Sequence, residues 1–342
     1  MAGLDGLRAL AVTAVVWHHT HPGFAGFPLT VKGFLGVDVF FVLSGFLITT
    51  LLLDEQAHSG RISLRHFYLR RSLRIFPLYY AVLAALALYF ATIAPDTSSQ
   101  KSRFLAELPY HATYMSNWFE TNSLMAITWS LSAEEQFYLL WPPLLAWLGR
   151  HALWPLAVLL GVNQAVNFGA LDGWLAAIGL PYATHSILQS TFTPILLGVL
   201  LAFALQDAAA RRALEQVTRW PVLLAVLVVA IAAISVEDMR GVPRLAFHLA
   251  TATLLAGILL RPSMALVRWL EWRPLVFVGT VSYGVYLLHK IVLDVASRGL
   301  ARVGLESPGL LFVSCLIGTI GLAALSYRYF ERPLLRLKDR FR

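Results

Sequence analysis

The sequence predicts an all-helical bundle that crosses a membrane about ten times, with both termini on the cytoplasmic side. Composition is the first reason: 58% of the 342 residues are hydrophobic and 13% are charged, where soluble domains are about a quarter charged. The second is the recurrence of apolar stretches near the ~20 residues that cross a hydrocarbon core. The third is the uneven sharing of Lys and Arg between alternate connecting segments, the mark of cytoplasmic loops.

The apolar stretches lie at 7–21, 33–53, 75–93, 127–148, 152–169, 185–205, 220–236, 245–260, 275–297 and 309–327. The shorter ones complete a crossing by extending into flanking polar turns. With the N-terminus inside, 18 of the 27 Lys and Arg fall on the inner side and 7 on the outer, leaving Arg8 and Lys290 within spans. The inner group includes the run Arg61, Arg65, Arg70, Arg71 and Arg74 and a C-terminal group ending in Lys338, Arg340 and Arg342. A net charge of +8 spread over membrane-edge loops argues against a nucleic-acid partner, which would need one basic face. Cys315 is the single cysteine, so an internal disulfide is excluded. The first apolar run lacks a small-residue cleavage site, so no signal peptide is expected. The expectation is one integral-membrane domain, 1–342, in the inner or plasma membrane, in contact with the lipid bilayer.

Ionisable residues inside such spans are expensive and mark function by default. Arg8 and His19 are eleven residues apart in LDGLRALAVTAVVWHHT. That is three helical turns plus about 20°, so they share one face about 16 Å apart along the axis. His18 points about 100° away and fits an interfacial role. Given the direction of each span, Asp38, Glu134, Glu135, His289 and Lys290 fall in the outer half with His19, as if around one cavity. Of the neighbours Glu134 and Glu135, one is expected to face inward. Asp38 has a second reading as a charge in the first turn of its helix, and Lys290 as a snorkelling span end. In RISLRHFYLRRSLRIFPLYY, Arg71 and Arg74 sit one turn apart at a span entry, where guanidinium groups suit phosphate. Arg61 and Arg65 read as ordinary inner-side charge. The longest outer segment, about 94–126, carries Tyr110, His111, Tyr114, Trp118 and Phe119, suited to dipping into the membrane or stacking on a sugar ring.

Six ordered strings resemble the acyltransferase-3 family of membrane O-acyltransferases: LDGLRALAV with a His eleven positions after its Arg, GFLGVDVFFVLSGFLIT, FYLRRSLRIFPLYY, TWSLSAEEQFYLLWP, VSYGVYLLHK and SYRYFERPLL. The resemblance covers nearly the whole chain. It implies transfer of an acyl group, commonly acetyl, from cytoplasmic acyl-CoA (acetyl-CoA) to a hydroxyl of an extracytoplasmic acceptor, commonly a glycan. The family's Arg-x10-His motif falls on Arg8 and His19, selecting His19 over His18, and its Arg-x-x-Arg motif on Arg71 and Arg74. Many relatives carry an additional esterase-like domain, for which this length leaves no room.

The mechanism expected from these residues has Arg71 and Arg74 holding the coenzyme's phosphates and Arg8 guiding its arm. His19 takes the acceptor's proton, with Glu134 orienting the imidazole or stabilising its charged form. Transient acylation of His19 is the other route. Asp38, Ser130, Ser132, Tyr283 and His289 are candidates for lining the cavity or placing the acceptor. No metal is expected. A secondary transporter or a flippase of a lipid-linked glycan is the rival reading, which would use similar spans without consuming a thioester.

Overall fold

Where the sequence is apolar the chain is helical. In the computed structural model, residues 1–20, 32–179 and 182–337 are described, those from 182 to 191 by their backbone alone; Lys338, Arg340 and Arg342 lie outside them. The helices are α1 (Leu4–Thr20), α2 (Leu35–Ser59), α3 (Leu64–Thr92), α4 (Ser99–Ala112), α5 (Trp129–Leu148), α6 (Leu153–Asn167), α7 (Asp172–Ala177), α8 (Tyr182–Gln206), α9 (Ala208–Val217), α10 (Trp220–Ser235), α11 (Val242–Leu260), α12 (Ala265–Leu270), α13 (Arg273–Thr280), α14 (Ser282–Arg302), α15 (Pro308–Ser326) and α16 (Arg332–Arg336).

Local chemistry sets their limits. Ser63 caps α3 by accepting from His66 N–H, and Asp207 caps α9 by accepting from Ala209 and Ala210 N–H, each satisfying a donor that a helix start leaves unmet. Prolines occupy the first turns of α10, α11 and α15, where a missing N–H costs nothing. Gly60 ends α2 at φ 74° and donates to Gln56, a left-handed cap that glycine adopts without strain.

Every expected apolar stretch falls on a helix, yet fewer are complete crossings than the ten expected. Among the described residues five helical runs are long and apolar enough to cross a membrane, or seven if each of two bent pairs is one span. The difference has local causes. α1 has 17 residues and α10 has 16. The two stretches at 127–148 and 152–169 form one run, interrupted by a 3-10 turn at Gly149–Ala152 in which Gly149 adopts φ 52°. The stretch at 275–297 breaks at Val281.

The chain divides into two compact units. Unit 1 comprises Met1–Ile62 and Leu144–Thr280; unit 2 comprises Ser63–Pro143 and Val281–Arg342.

Within unit 1, α2 packs against α1, α8 and α11. Glycines let the backbones approach closely, the usual device where apolar helices meet without a solvent driving force. A Cβ at Gly45 would overlap the Ile195 carbonyl, and one at Gly198 would overlap Val42. Gly33 and Gly36 seat α2 on Ala14 and Ala11 of α1 in the same way. Around these contacts Leu4, Val42, Phe46, Leu201, Leu255 and Leu270 form a buried core. In unit 2, α4 is fastened to α3 by the stacked rings of Phe90 and Phe104, 4.9 Å apart, and α14 packs along α15.

Gly198→Val is expected to cost about 1–3 kcal/mol by overpacking the α2–α8 contact, read as a lower Tm in detergent. Gly161→Ala, where a Cβ would meet nothing within 4 Å, is expected to leave Tm unchanged or slightly raised.

Candidate functional site

α1 presents Arg8 near its start and His19 at its end. Arg8 Nη1 donates to Asp5 Oδ1 at 2.6 Å, one turn back, so its charge has a partner on its own helix. His19 Nδ1 lies 2.9 Å from the Val15 carbonyl. A carbonyl only accepts, so Nδ1 carries a proton, and in the neutral ring Nε2 is the basic nitrogen. The His18 ring meets His19 edge-on at 5.1 Å and Phe34 at 5.4 Å. Phe34 precedes α2, so His18 serves the packing of α2.

Asp38 is buried, with its Oδ2 3.0 Å from His248 Nε2 and 3.3 Å from Arg244 Nη2. These partners stand one turn apart on α11, and the sequence reading does not single them out. Only their Arg-x3-His spacing at the start of an apolar helix signalled a shared face. With Asp38 ionised the His248 proton sits on Nε2, and Nδ1 is buried without a hydrogen-bond partner. Asp38 also lies away from the level of His19. Gly33 sits against Ala14 and Gly36 against Ala11. Asp38 therefore comes level with about Ala9, roughly 15 Å along α1 from His19 at 1.5 Å per residue.

Unit 2 gathers a second set. Arg71 of α3 lays its Cζ 3.9 Å over the Tyr138 ring of α5, a cation–π contact, and is in electrostatic reach of both Glu135 and Glu134. Arg74, one turn further along α3, is exposed and in reach of Glu331, in a π-helical turn at Tyr327–Glu331. The two arginines therefore meet different carboxylates. Both carboxylates face the interior of the unit, where one had been expected. Glu134 is in reach of Tyr286, whereas Glu135 faces Tyr79, Tyr80, Tyr114 and Tyr283. Glu134 and His19 belong to different units, and within its own unit Glu134 has Arg71 to balance it.

α14 is fixed by its tyrosines. Tyr283 Oη donates to the Ile75 carbonyl at 2.8 Å. Tyr286 donates to the Ile127 carbonyl at 2.7 Å, and since its single proton is used there, Ser130 donates to it at 2.7 Å. His289 is fully buried and its Nδ1–H donates to Tyr286 O at 2.6 Å.

Tyr138 is the member that the sequence does not single out; Glu135 and Tyr114 are named there, Tyr114 in the segment suited to stacking on a sugar ring. Tyr114 stacks on Tyr79 at 4.3 Å and holds φ 55°, a left-handed backbone that costs a bulky residue strain. Gln136 Nε2 pins it by donating to the Tyr114 carbonyl at 2.8 Å. Arg71 Nε, Glu135 Oε1 and Tyr114 Oη are buried without hydrogen-bond partners. Each unmet group of this kind costs about 1–3 kcal/mol, and native structures retain few of them.

Ser132, expected to line a cavity, is fully buried and 2.8 Å from Ser116 Oγ. A hydrogen-bonded chain continues through Thr128 to His111 Nδ1 and from His111 Nε2 to Glu107. This chain anchors the segment after α4, so Ser132 holds structure. His111 is likewise buried, and Tyr110 stacks on Phe119 at 3.9 Å.

The acyltransferase-domain family profile matches residues 1–328. The chain belongs to this family. It is 29% identical over 360 residues to the putative peptidoglycan O-acetyltransferase YrhL of Bacillus subtilis, covering 97% of this chain and 54% of that protein. It is 28% identical over 363 residues to the peptidoglycan O-acetyltransferase OatA of Listeria monocytogenes, covering 97% and 55%. With the O-acetyltransferase OatA of Staphylococcus aureus the identity is 29% over 362 residues, covering 98% and 57%. The chain thus spans about half the length of these relatives. No solved structure matches it. Asp38, Arg244 and His248, and Arg71, Glu134, Glu135 and Tyr114, lie inside the matched region.

Two outcomes follow from the buried charges. Asp38→Ala leaves Arg244 opposite no anion and is expected to cost about 3–5 kcal/mol, read as a fall in Tm that Arg244→Leu partly restores. In α4, burial pushes the Glu107 carboxyl up, but donors from Asn122, Ser123 and His111 outweigh it and hold it below its ordinary range. Burial also pushes His111 down, against the opposing pull of Glu107. Both folded values are depressed, so both contributions exist above the unfolded pKa values and are lost as pH falls. Thermal stability is expected to decline below about pH 6.5 and again below about 4.3. His111→Gln should shrink the first step.

Proposed function

We propose that this membrane protein is an O-acyltransferase of the plasma membrane, moving an acyl group, most simply acetyl, from cytoplasmic acyl-CoA to a hydroxyl of a cell-surface glycan. Peptidoglycan, the acceptor in the names of its relatives, is the leading acceptor. The observation that carries the reading is the state of His19. With Nδ1–H given to Val15, its Nε2 is a base on a helix whose only other ionisable residues, apart from His18, are paired Arg8 and Asp5.

The chemistry follows from that nitrogen. A hydroxyl is a weak nucleophile at neutral pH, so His19 Nε2 takes its proton as the oxygen attacks the thioester carbon. The C–S bond then breaks, the coenzyme sulfur leaves and receives the proton from the imidazolium, and the acceptor oxygen keeps the acyl group as an ester. Arg74 keeps its assignment to the coenzyme's phosphates because its side chain is exposed. Arg8 stays beside the donor's path, its orientation set by Asp5. Arg71 is the exception, since a phosphate at its guanidinium would face two carboxylates.

His19→Ala is expected to lower transfer by about 10²–10⁴-fold, the usual worth of a general base, with insertion and Tm unchanged. The assay follows release of coenzyme thiol and formation of glycan ester in proteoliposomes. Undiminished transfer by the variant, or glycan movement without thiol release by the parent protein, would overturn the proposal.

A further inference from the structure

Among the buried side-chain atoms of unit 2 that lack a hydrogen-bond partner, three belong to Glu135 itself and to two side chains in its electrostatic reach. Glu135 Oε1 accepts, Arg71 Nε–H donates, and Tyr114 Oη does either. Tyr114 is 7% exposed, so its hydroxyl is withdrawn from the surface, and its strained backbone shows that the surrounding structure forces it into place. The cluster is not sealed: Arg71, Glu134, Glu135, Phe76 and Tyr283 are half-buried and Tyr80 is exposed.

Charge decides which class of ligand fits. One guanidinium stands beside two carboxylates, and Arg74, the next cation on α3, faces Glu331 instead. The cluster holds no surplus positive charge, which disfavours a phosphate or a carboxylate. The remaining demand is for an uncharged molecule whose hydroxyls donate to a carboxylate and accept from a guanidinium and a phenol. Phenol and phenyl rings beside such groups suit the apolar faces of a sugar ring.

We infer that Glu135, Arg71 and Tyr114 form the binding subsite for an uncharged sugar ring of the acceptor glycan. Glu135 accepts from a ring hydroxyl, while Arg71 and Tyr114 donate to its neighbours. Arg71 is then an acceptor-side residue, its charge compensating the carboxylates, and the donor is left to Arg74 and Arg8. This rests on the acyl-transfer reading for its kinetic arm and stands apart from it in its binding arm.

The kinetic arm compares KM values for acetyl-CoA and for a soluble peptidoglycan fragment in the full chain. Glu135→Gln and Tyr114→Phe are expected to raise acceptor KM at least tenfold while leaving the KM for acetyl-CoA within twofold. Arg74→Ala is expected to do the reverse. The binding arm uses the full chain carrying His19→Ala and saturation-transfer NMR with a neutral N-acetylglucosamine tetramer and with coenzyme A. The tetramer should bind and coenzyme A should not compete with it; adding Glu135→Gln should weaken the tetramer tenfold and spare coenzyme A. A Glu135→Gln variant with normal Tm that loses coenzyme A, or that binds both ligands as before, overturns the subsite. If the parent protein transfers no acyl group, the kinetic arm is silent and the acyl-transfer reading fails, while the binding arm still decides the sugar site.

Discussion

Charge placed among apolar helices has to be met inside the protein, because the hydrocarbon around it offers neither water nor counterions. Much of what is specific in this structure follows from that. Asp38 draws Arg244 and His248 to itself and ties α2 to α11, elements 206 and 210 residues apart. Arg240 grips Asp172 with two bonds, and Asn167 exchanges hydrogen bonds with the Gly241 backbone, so the approach to α11 is satisfied before the helix begins. Glu107 and His111 do the same for the segment that follows α4. Against this economy, three of the ten unmet side-chain atoms of the described residues belong to Glu135 and to Arg71 and Tyr114 in its electrostatic reach.

Positions of helices were legible from the apolar runs, since a stretch that long and that apolar has few other conformations open to it. Their ends and interruptions were not. The turn at Gly149 depends on one glycine taking a positive φ, and the break at Val281 has no proline or glycine run to announce it. For the site, the spacing of Arg8 and His19 was enough to put them on one helix, and the backbone then supplied the tautomer. Glu135 was discounted because neighbours on a helix diverge by about 100°. That reasoning assumed a narrow cavity, whereas Glu134 and Glu135 address two different groups of tyrosines. His248 escaped notice because its partner is remote in sequence. Ser132 was read as lining because serine in an apolar span is polar, but polarity alone does not distinguish a wall from a buried hydrogen-bond chain.

α3 illustrates how one helix serves two chemistries. Arg71 and Arg74 are three residues apart and alike in type, yet one lies on an aromatic ring between carboxylates and the other is exposed. Identical side chains acquire different surroundings from their neighbours: the first lies among carboxylates, and the second stands exposed in reach of Glu331.

The interleaving of the two units carries a consequence for how the chain is made. Unit 1 begins with the first residue and is finished only at Thr280, after all of 63–143 has been synthesised for unit 2. The glycine contacts of α2 with α8 join its two segments, so α2 leaves the ribosome well before its partner exists. Through that interval its glycine-lined face lies open to lipid or to the insertion machinery. Biogenesis therefore includes a waiting state, in which an early helix is kept in register for a late one, and the smallness of Gly45 and Gly198 is what lets the late helix slide home.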